Sequence, residues 1–156
     1  MPVPTLALRW TLTLDPLTTA IGFVHLQAER ALPGGYFSLY GSPSLRLFDG
    51  VLPAIAGPYR GLGLELGFRT FLRPTAPEGA WLMLRGVGAH LHTTGPAERE
   101  TALGGYASVL GGYTWIGEGG LVVSGGLGFS VFRYEVADYG IRGPGVAAHT
   151  NIGWAF

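Results

Sequence analysis

The sequence predicts an all-β protein, an eight-stranded antiparallel up-and-down barrel that crosses a membrane with its strands. Three observations predict it. Apolar and polar residues alternate over most of the chain, Gly-rich or Pro-rich breaks cut the alternation into eight segments, and the apolar positions hold large Leu, Phe and Trp side chains in a sequence with few charges. Successive side chains of a strand point to opposite faces, so alternation gives each segment one apolar and one polar face.

The composition narrows the class further. The 156 residues are most simply one domain, 1–156, and charged residues make up 13% of them, about half the usual share of soluble domains. Mean hydropathy is positive, yet no stretch approaches the roughly 18–20 uninterrupted apolar residues of a transmembrane helix. Apolar character without long apolar runs is the sequence signature of a membrane barrel. The formal net charge is zero and no basic cluster occurs, which argues against nucleic acid as a partner. The absence of Cys excludes disulfides and thiolate chemistry. Met1-Pro-Val-Pro-Thr5 has no basic n-region and is not a signal peptide. Export is then expected to use a leader that precedes this start or has been removed.

Strand 1 is expected over Thr5 to Leu14, with Leu6, Leu8, Trp10, Leu12 and Leu14 opposite Thr5, Ala7, Arg9, Thr11 and Thr13. Asp15-Pro16 signals a turn. Strand 2 follows at about Thr19 to Arg30, where Val24, Leu26 and Ala28 oppose Phe23, His25, Gln27 and Glu29. Leu32-Pro-Gly-Gly turns into strand 3, about Gly35 to Arg46, and Ser42 to Pro58, irregular and with three prolines, is expected to be a long loop. Strand 4, about Tyr59 to Arg73, sets Leu62, Leu64, Leu66, Phe68 and Leu72 against Glu65, Arg69 and Arg73. Strand 5 spans about Ala80 to His92, strand 6 about Thr101 to Ile116 and strand 7 about Gly120 to Tyr134. Glu135 to Arg142 is expected as the last loop before strand 8, Gly143 to Phe156. Nothing in the pattern predicts a helix.

Links after strands 2, 4 and 6 are short, and those after 3, 5 and 7 are longer, the arrangement of a membrane barrel with two unlike rims. Eight strands leave an interior about wide enough for side chains. The large apolar residues are too many to pack there, so volume places them outside, facing lipid. The polar face then lines the lumen with small residues and a few charges: Arg9, Glu29, Glu65, Arg69, Arg73 and Arg85. Buried charges need partners. An ion-pair network of Arg9, Glu29, Glu65, Arg69 and Arg85 is expected to plug the lumen rather than leave a conducting pore. Phe37, Tyr113, Trp115, Trp154 and Phe156 fall on the outward face near the short-turn rim, as an aromatic girdle at a membrane interface. The opposite arrangement, with the apolar face inward, would be a soluble lipocalin-like barrel binding a small apolar ligand.

His90-Leu-His92 has a spacing that can bind a metal, but the third ligand would have to come from Glu98 or Glu100. Parity sets both His on the Leu82/Leu84 face unless a bulge at Gly86 or Gly88 shifts them. No metal site and no cofactor are expected. Gly61-x-Gly63 and Gly125-Gly-x-Gly128 are followed by no helix and so do not form a dinucleotide fingerprint. They are expected to relieve strand curvature and leave lumen room for Tyr and Arg.

In strand 8 the even positions from Val146 to Phe156 are apolar or Thr and end on Trp154 and Phe156. This ending resembles the C-terminal strand of bacterial outer-membrane β-barrels. Leu14-Asp-Pro-Leu17, Ala28-Glu-Arg-Ala-Leu32, Gly67-Phe-Arg-Thr-Phe71, Gly111-Gly-Tyr-Thr-Trp115, Gly125-Gly-Leu-Gly-Phe129 and Trp154-Ala-Phe156 together resemble a family of uncharacterised bacterial outer-membrane β-barrel proteins, similar in architecture to outer-membrane protein W and to the outer-membrane protein A type of eight-stranded barrel. The resemblance implies a location in the bacterial outer membrane, outer-membrane lipids as partners, and recognition of the terminal strand by the barrel-assembly machinery. It implies no activity. The expected function is non-enzymatic: structural, or passage of small, hydrophobic solutes through a gap between strands, with a monomer favoured. His149-Thr150-Asn151 is similar to the His-x-Ser-Asn run of barrels that deacylate lipid A. Thr stands in place of Ser, however, and alternation sends His149 and Thr150 to opposite faces, so a lipid A-modifying enzyme is the weaker expectation.

Overall fold

The computed structural model describes residues 9–48, 59–94, 100–136 and 139–156. Eight antiparallel strands close into a barrel in sequence order. They are β1 (Trp10–Leu14), β2 (Phe23–Ala31), β3 (Phe37–Arg46), β4 (Tyr59–Phe71), β5 (Gly79–Thr93), β6 (Thr101–Ile116), β7 (Leu121–Val136) and β8 (Tyr139–Ala155), with a short helix α1 (Pro16–Ala20) between β1 and β2. The seam is β1 against β8, from Thr11↔Ala155 to Leu14↔Ile152. Residues 5–8 of the expected first strand lie outside the described residues.

Alternation decides the faces. On β5 every second residue from Trp81 to Thr93 is buried and its neighbours are exposed. The β5 registers against β4 and β6 run unbroken past Gly86 and Gly88, so no bulge shifts the face there. The outer surface is apolar. Leu39, Phe68, Leu84, Val109, Phe129 and Val146 are successive cross-strand partners on six adjacent strands, and each is between 40% and 78% exposed. Charged residues on that surface, Arg30, Arg60, Arg133, Glu135 and Arg142, sit at strand ends.

Inside lie two apolar clusters. Tyr40, Phe71, Trp81, Met83, Leu110 and Ala147 pack toward the short-turn rim. Phe23, Tyr59, Leu91, Tyr134 and Val136 pack toward the other. Glycines make room for the rings: Gly61 for Tyr134 and Arg46, as expected, Gly67 for Tyr40, and Gly112 and Gly126 for Trp81, which was not expected. A Cβ on Gly67 would come within 2.0 Å of the Tyr40 ring, and one on Gly112 or Gly126 within 2.4 Å of Trp81. Gly67→Ala therefore forces Tyr40 off its rotamer or the strands apart, at about 1–3 kcal/mol. The expected readout is a lower urea midpoint for unfolding.

Three elements differ from the sequence expectation. Asp15-Pro16 starts a helix, not a plain turn: Asp15 is the N-cap, its side chain accepting from Thr18 N at 3.1 Å, and Pro16 fills the first turn, where a missing N–H costs nothing. Ser42-Pro43-Ser44 belongs to β3 rather than to the loop. Pro43 pairs with Leu64 of β4, while the β2 ladder skips from His25↔Ser44 to Ala28↔Gly41, as a residue without an N–H requires. Of the expected loop Glu135 to Arg142, residues 137 and 138 lie outside the described residues; Glu135 and Val136 belong to β7 and Tyr139 to Arg142 to β8, and pairing continues to Val136↔Tyr139. Gly140 and Gly143 there take φ of 120° and 106°, a region other residues rarely adopt.

Candidate functional site: the lumen and a break in the barrel wall

The inward faces of β1–β5 and β8 bring two carboxylates, Glu29 and Glu65, and three arginines, Arg46, Arg69 and Arg85, into the lumen as separate groups. Arg46, which was not among the residues expected there, lies over the Phe23 and Tyr59 rings at 5.0 and 4.1 Å. Near the short-turn rim, Arg69 Nη1 donates to Glu29 Oε2 at 2.8 Å, with side chains 1% and 2% exposed. Ser38 Oγ donates to Glu29 Oε1 at 2.5 Å. Arg69 Nη2 donates to His149 Nε2 at 2.5 Å, which fixes that nitrogen as the acceptor and puts the ring proton on Nδ1. The same guanidinium lies 4.6 Å from the Trp81 ring centre and 5.4 Å from that of Tyr40. A desolvated cation held by a carboxylate, an imidazole and two aromatic faces rigidifies the side chains at this level.

Further up, His25 Nδ1 meets Glu65 Oε2 at 3.0 Å and Ser44 Oγ meets His25 Nε2 at 3.2 Å, while Tyr106 OH donates to Glu65 Oε2 at 3.1 Å. Serine, histidine and carboxylate in this order are the geometry of an activated nucleophile. Ser44 is 1% exposed, however, and does not line the cavity that His25 lines. A hydroxyl sealed from that cavity meets no substrate carbonyl through it, so the chain reads as a second buried polar network.

Arg85 is the unusual member. It is 5% exposed, and among the described residues no carboxylate lies within ion-pair distance of it. Its one hydrogen bond runs from Nη2 to the carbonyl of Ala148 at 3.4 Å, and its Nε has no protein partner. Glu65 is already held by His25 and Tyr106. Asp15, the other buried carboxylate toward this side, caps α1 and accepts from Thr150 Oγ1 at 2.7 Å.

The Ala148 carbonyl is free to accept because β8 outruns its neighbour. β1 covers β8 only from Ile152 to Ala155. Beyond Thr150 that edge of β8 has no strand partner among the described residues, and α1 lies across it, with Leu17 N donating to Thr150 Oγ1 at 3.3 Å. A cavity of about 370 Å³ fills the break, lined by α1, by inward residues of β2 and β5–β7, and by both faces of β8.

No family model, no curated protein and no solved structure matches this chain.

Of the residues expected in one lumen network, Glu29 and Arg69 meet each other, Glu65 meets His25, and Arg85 lies at the break on the Ala148 carbonyl and the Tyr106 ring. Arg9 is exposed and does not join them. It lies one residue before β1, where its carbonyl accepts from Ala31 N at 2.8 Å; inward parity does not hold once the strand has ended. Arg73, in the turn after β4, is exposed for the same reason. Phe37, Tyr113, Trp115, Trp154 and Phe156 are all exposed on the outer surface toward the short-turn rim, and Trp10 joins them with Arg30 over its ring at 5.4 Å. His90 and His92 also face outward, toward the opposite rim. Glu98 lies outside the described residues. Among the described residues no three His, Asp or Glu side chains converge. His149 and Asn151 point inward and Thr150 outward, so that triplet forms no single site. Parity alone had put His25 and His149 on the polar face; what it lacked was their partners, 40 and 80 residues away.

Proposed function

We propose that this chain is a non-enzymatic integral protein of the bacterial outer membrane, with a plugged lumen, serving a structural role or passing small, hydrophobic solutes. The observation that carries the reading is the charge-free outer band. From Leu62 on β4 to Leu72 just past its end, on β7 from Leu121 to Val131 and on β8 from Pro144 to Trp154, eleven positions each, no outward residue is charged. A tilted strand needs about 9–11 residues to cross the hydrocarbon core. Six strands at ~4.8 Å each, over that height, make an apolar surface on the order of several hundred Å², at or above the largest patches of soluble monomers. Arginines at the ends of the band and aromatics along one rim are what two membrane interfaces favour. A soluble lipocalin-like barrel would bury this face and expose the polar one, and the distribution supports the membrane reading over it. The proposed kinship with outer-membrane protein W-like barrels, and recognition of the terminal strand by the assembly machinery, rest on the short motifs quoted above.

The test is gel mobility and extraction. The purified protein is expected to stay folded in SDS and to migrate differently before and after boiling. It is also expected to sediment with membranes after high-salt and carbonate washes. Release by buffer alone, with one mobility at every temperature, would overturn the reading.

A further inference from the structure

The break between α1 and β8 has the features of a binding site, and we infer that it takes a long-chain alkyl carboxylate, with the carboxylate on Arg85 and the chain running outward over the free edge of β8. The inference deepens the membrane reading, on which the lipid-facing direction of the mouth rests.

Three observations carry it. The first is the route: inward Ala147 and outward Val146 and Ala148 line one cavity, so the space passes from the lumen around the strand edge to the outer surface. The second is the lining. Leu17 of α1, its C-cap Ile21, Phe132 of β7 and Val146 form a mostly hydrocarbon wall, and about 370 Å³ lies toward the small end of ligand pockets. The third is the charge. Arg85 lines the cavity as a buried guanidinium with an unpartnered Nε and one long hydrogen bond to a backbone carbonyl. A bond of 3.4 Å is at the weak limit, so Ala148 is easily displaced as acceptor. A planar carboxylate offers two oxygens to the guanidinium fork. The Arg85 guanidinium lies over the Tyr106 ring, 5.4 Å from its centre. The nearby Glu65 carboxylate is held by His25 and Tyr106, so a neutral alcohol of equal chain length would leave the guanidinium without a directly bonded anion, and selection by headgroup follows from its burial.

The experiment uses the full-length protein in native membranes with a photoactivatable long-chain fatty acid carrying a diazirine on its chain. Labelled peptides are mapped by mass spectrometry. Labelling is expected to concentrate on α1 and on the β8 stretch around Val146. It should fall at least tenfold in Arg85→Met, and compete with dodecanoate but not with dodecanol or dodecyl phosphate. Val146→Trp keeps Arg85 but blocks the mouth, and it should lose labelling as well, so the inference stays testable if Arg85→Met fails to fold. Labelling spread over the outer band, labelling indifferent to both substitutions, or equal competition by dodecanol overturns the site. Equal competition by dodecyl phosphate overturns the carboxylate in favour of a general anion. Heat-modifiable mobility of each variant, measured alongside, reports the membrane reading separately.

Discussion

Arg69→Met is expected to destabilise the barrel by about 3–5 kcal/mol, because it leaves the Glu29 carboxylate buried without its cation. Glu29 is 2% exposed, and its remaining donors are Ser38 at 2.5 Å and Thr11 at 3.5 Å. Two hydroxyls do not replace a guanidinium at 2.8 Å. The substitution also removes the donor to His149 and the cation over Trp81, so neighbouring side chains lose their register together. Glu29→Gln with Arg69→Met removes both charges and is expected to recover most of the loss. Well-packed neutral groups commonly equal a buried ion pair in stability. Urea titrations in lipid vesicles, followed by tryptophan fluorescence, measure both variants. A single variant within 1 kcal/mol of the parent would mean that water reaches the pair and that the lumen is not plugged at this level.

That pair also marks how far the sequence alone reaches. Alternation is a two-residue signal, and no ladder slips, so the inward or outward direction of Glu29, Glu65, Arg69, Arg85 and all five girdle aromatics could be read from parity. Parity says nothing about level. Strands in a closed barrel are tilted and staggered, and the stagger decides that Arg69 reaches Glu29 and His149 while Glu65 reaches His25. At strand ends the signal fades, and Arg9 and Arg73 are exposed there despite their place in the alternation. Asp15-Pro16 carries one ambiguity, since the same two residues start a turn or cap a helix. Glu135 to Arg142 looks like a loop from its charges and glycine, but its described residues continue the β7–β8 ladder, with Gly140 at positive φ. The break at β8 was the least legible feature. It arises from a length mismatch between β1 and β8, elements 140 residues apart in the chain, and only that mismatch frees the Ala148 carbonyl for Arg85.

Val109→Arg is expected to cost about 2–4 kcal/mol if the band faces lipid, the penalty of an arginine near the bilayer midplane of a barrel. Val109 is 60% exposed and sits midway along the charge-free outer stretch of β6 from Leu103 to Trp115, flanked by Leu84 and Phe129 as cross-strand partners. In water the same substitution, at an exposed site with no hydrogen bond to break, would stay within about 0.5 kcal/mol. The two environments therefore predict different results from one change that touches nothing in the core. Depth supplies the internal control. Leu103→Arg, six residues nearer the long-loop rim and beside His90, should cost only about 0–1 kcal/mol, because its guanidinium reaches the interface. A steep loss at Val109 with a shallow one at Leu103 is the profile of a strand crossing a bilayer. Equal, small effects at both positions would mean that the apolar band faces something other than lipid, and the proposed location would fall with it.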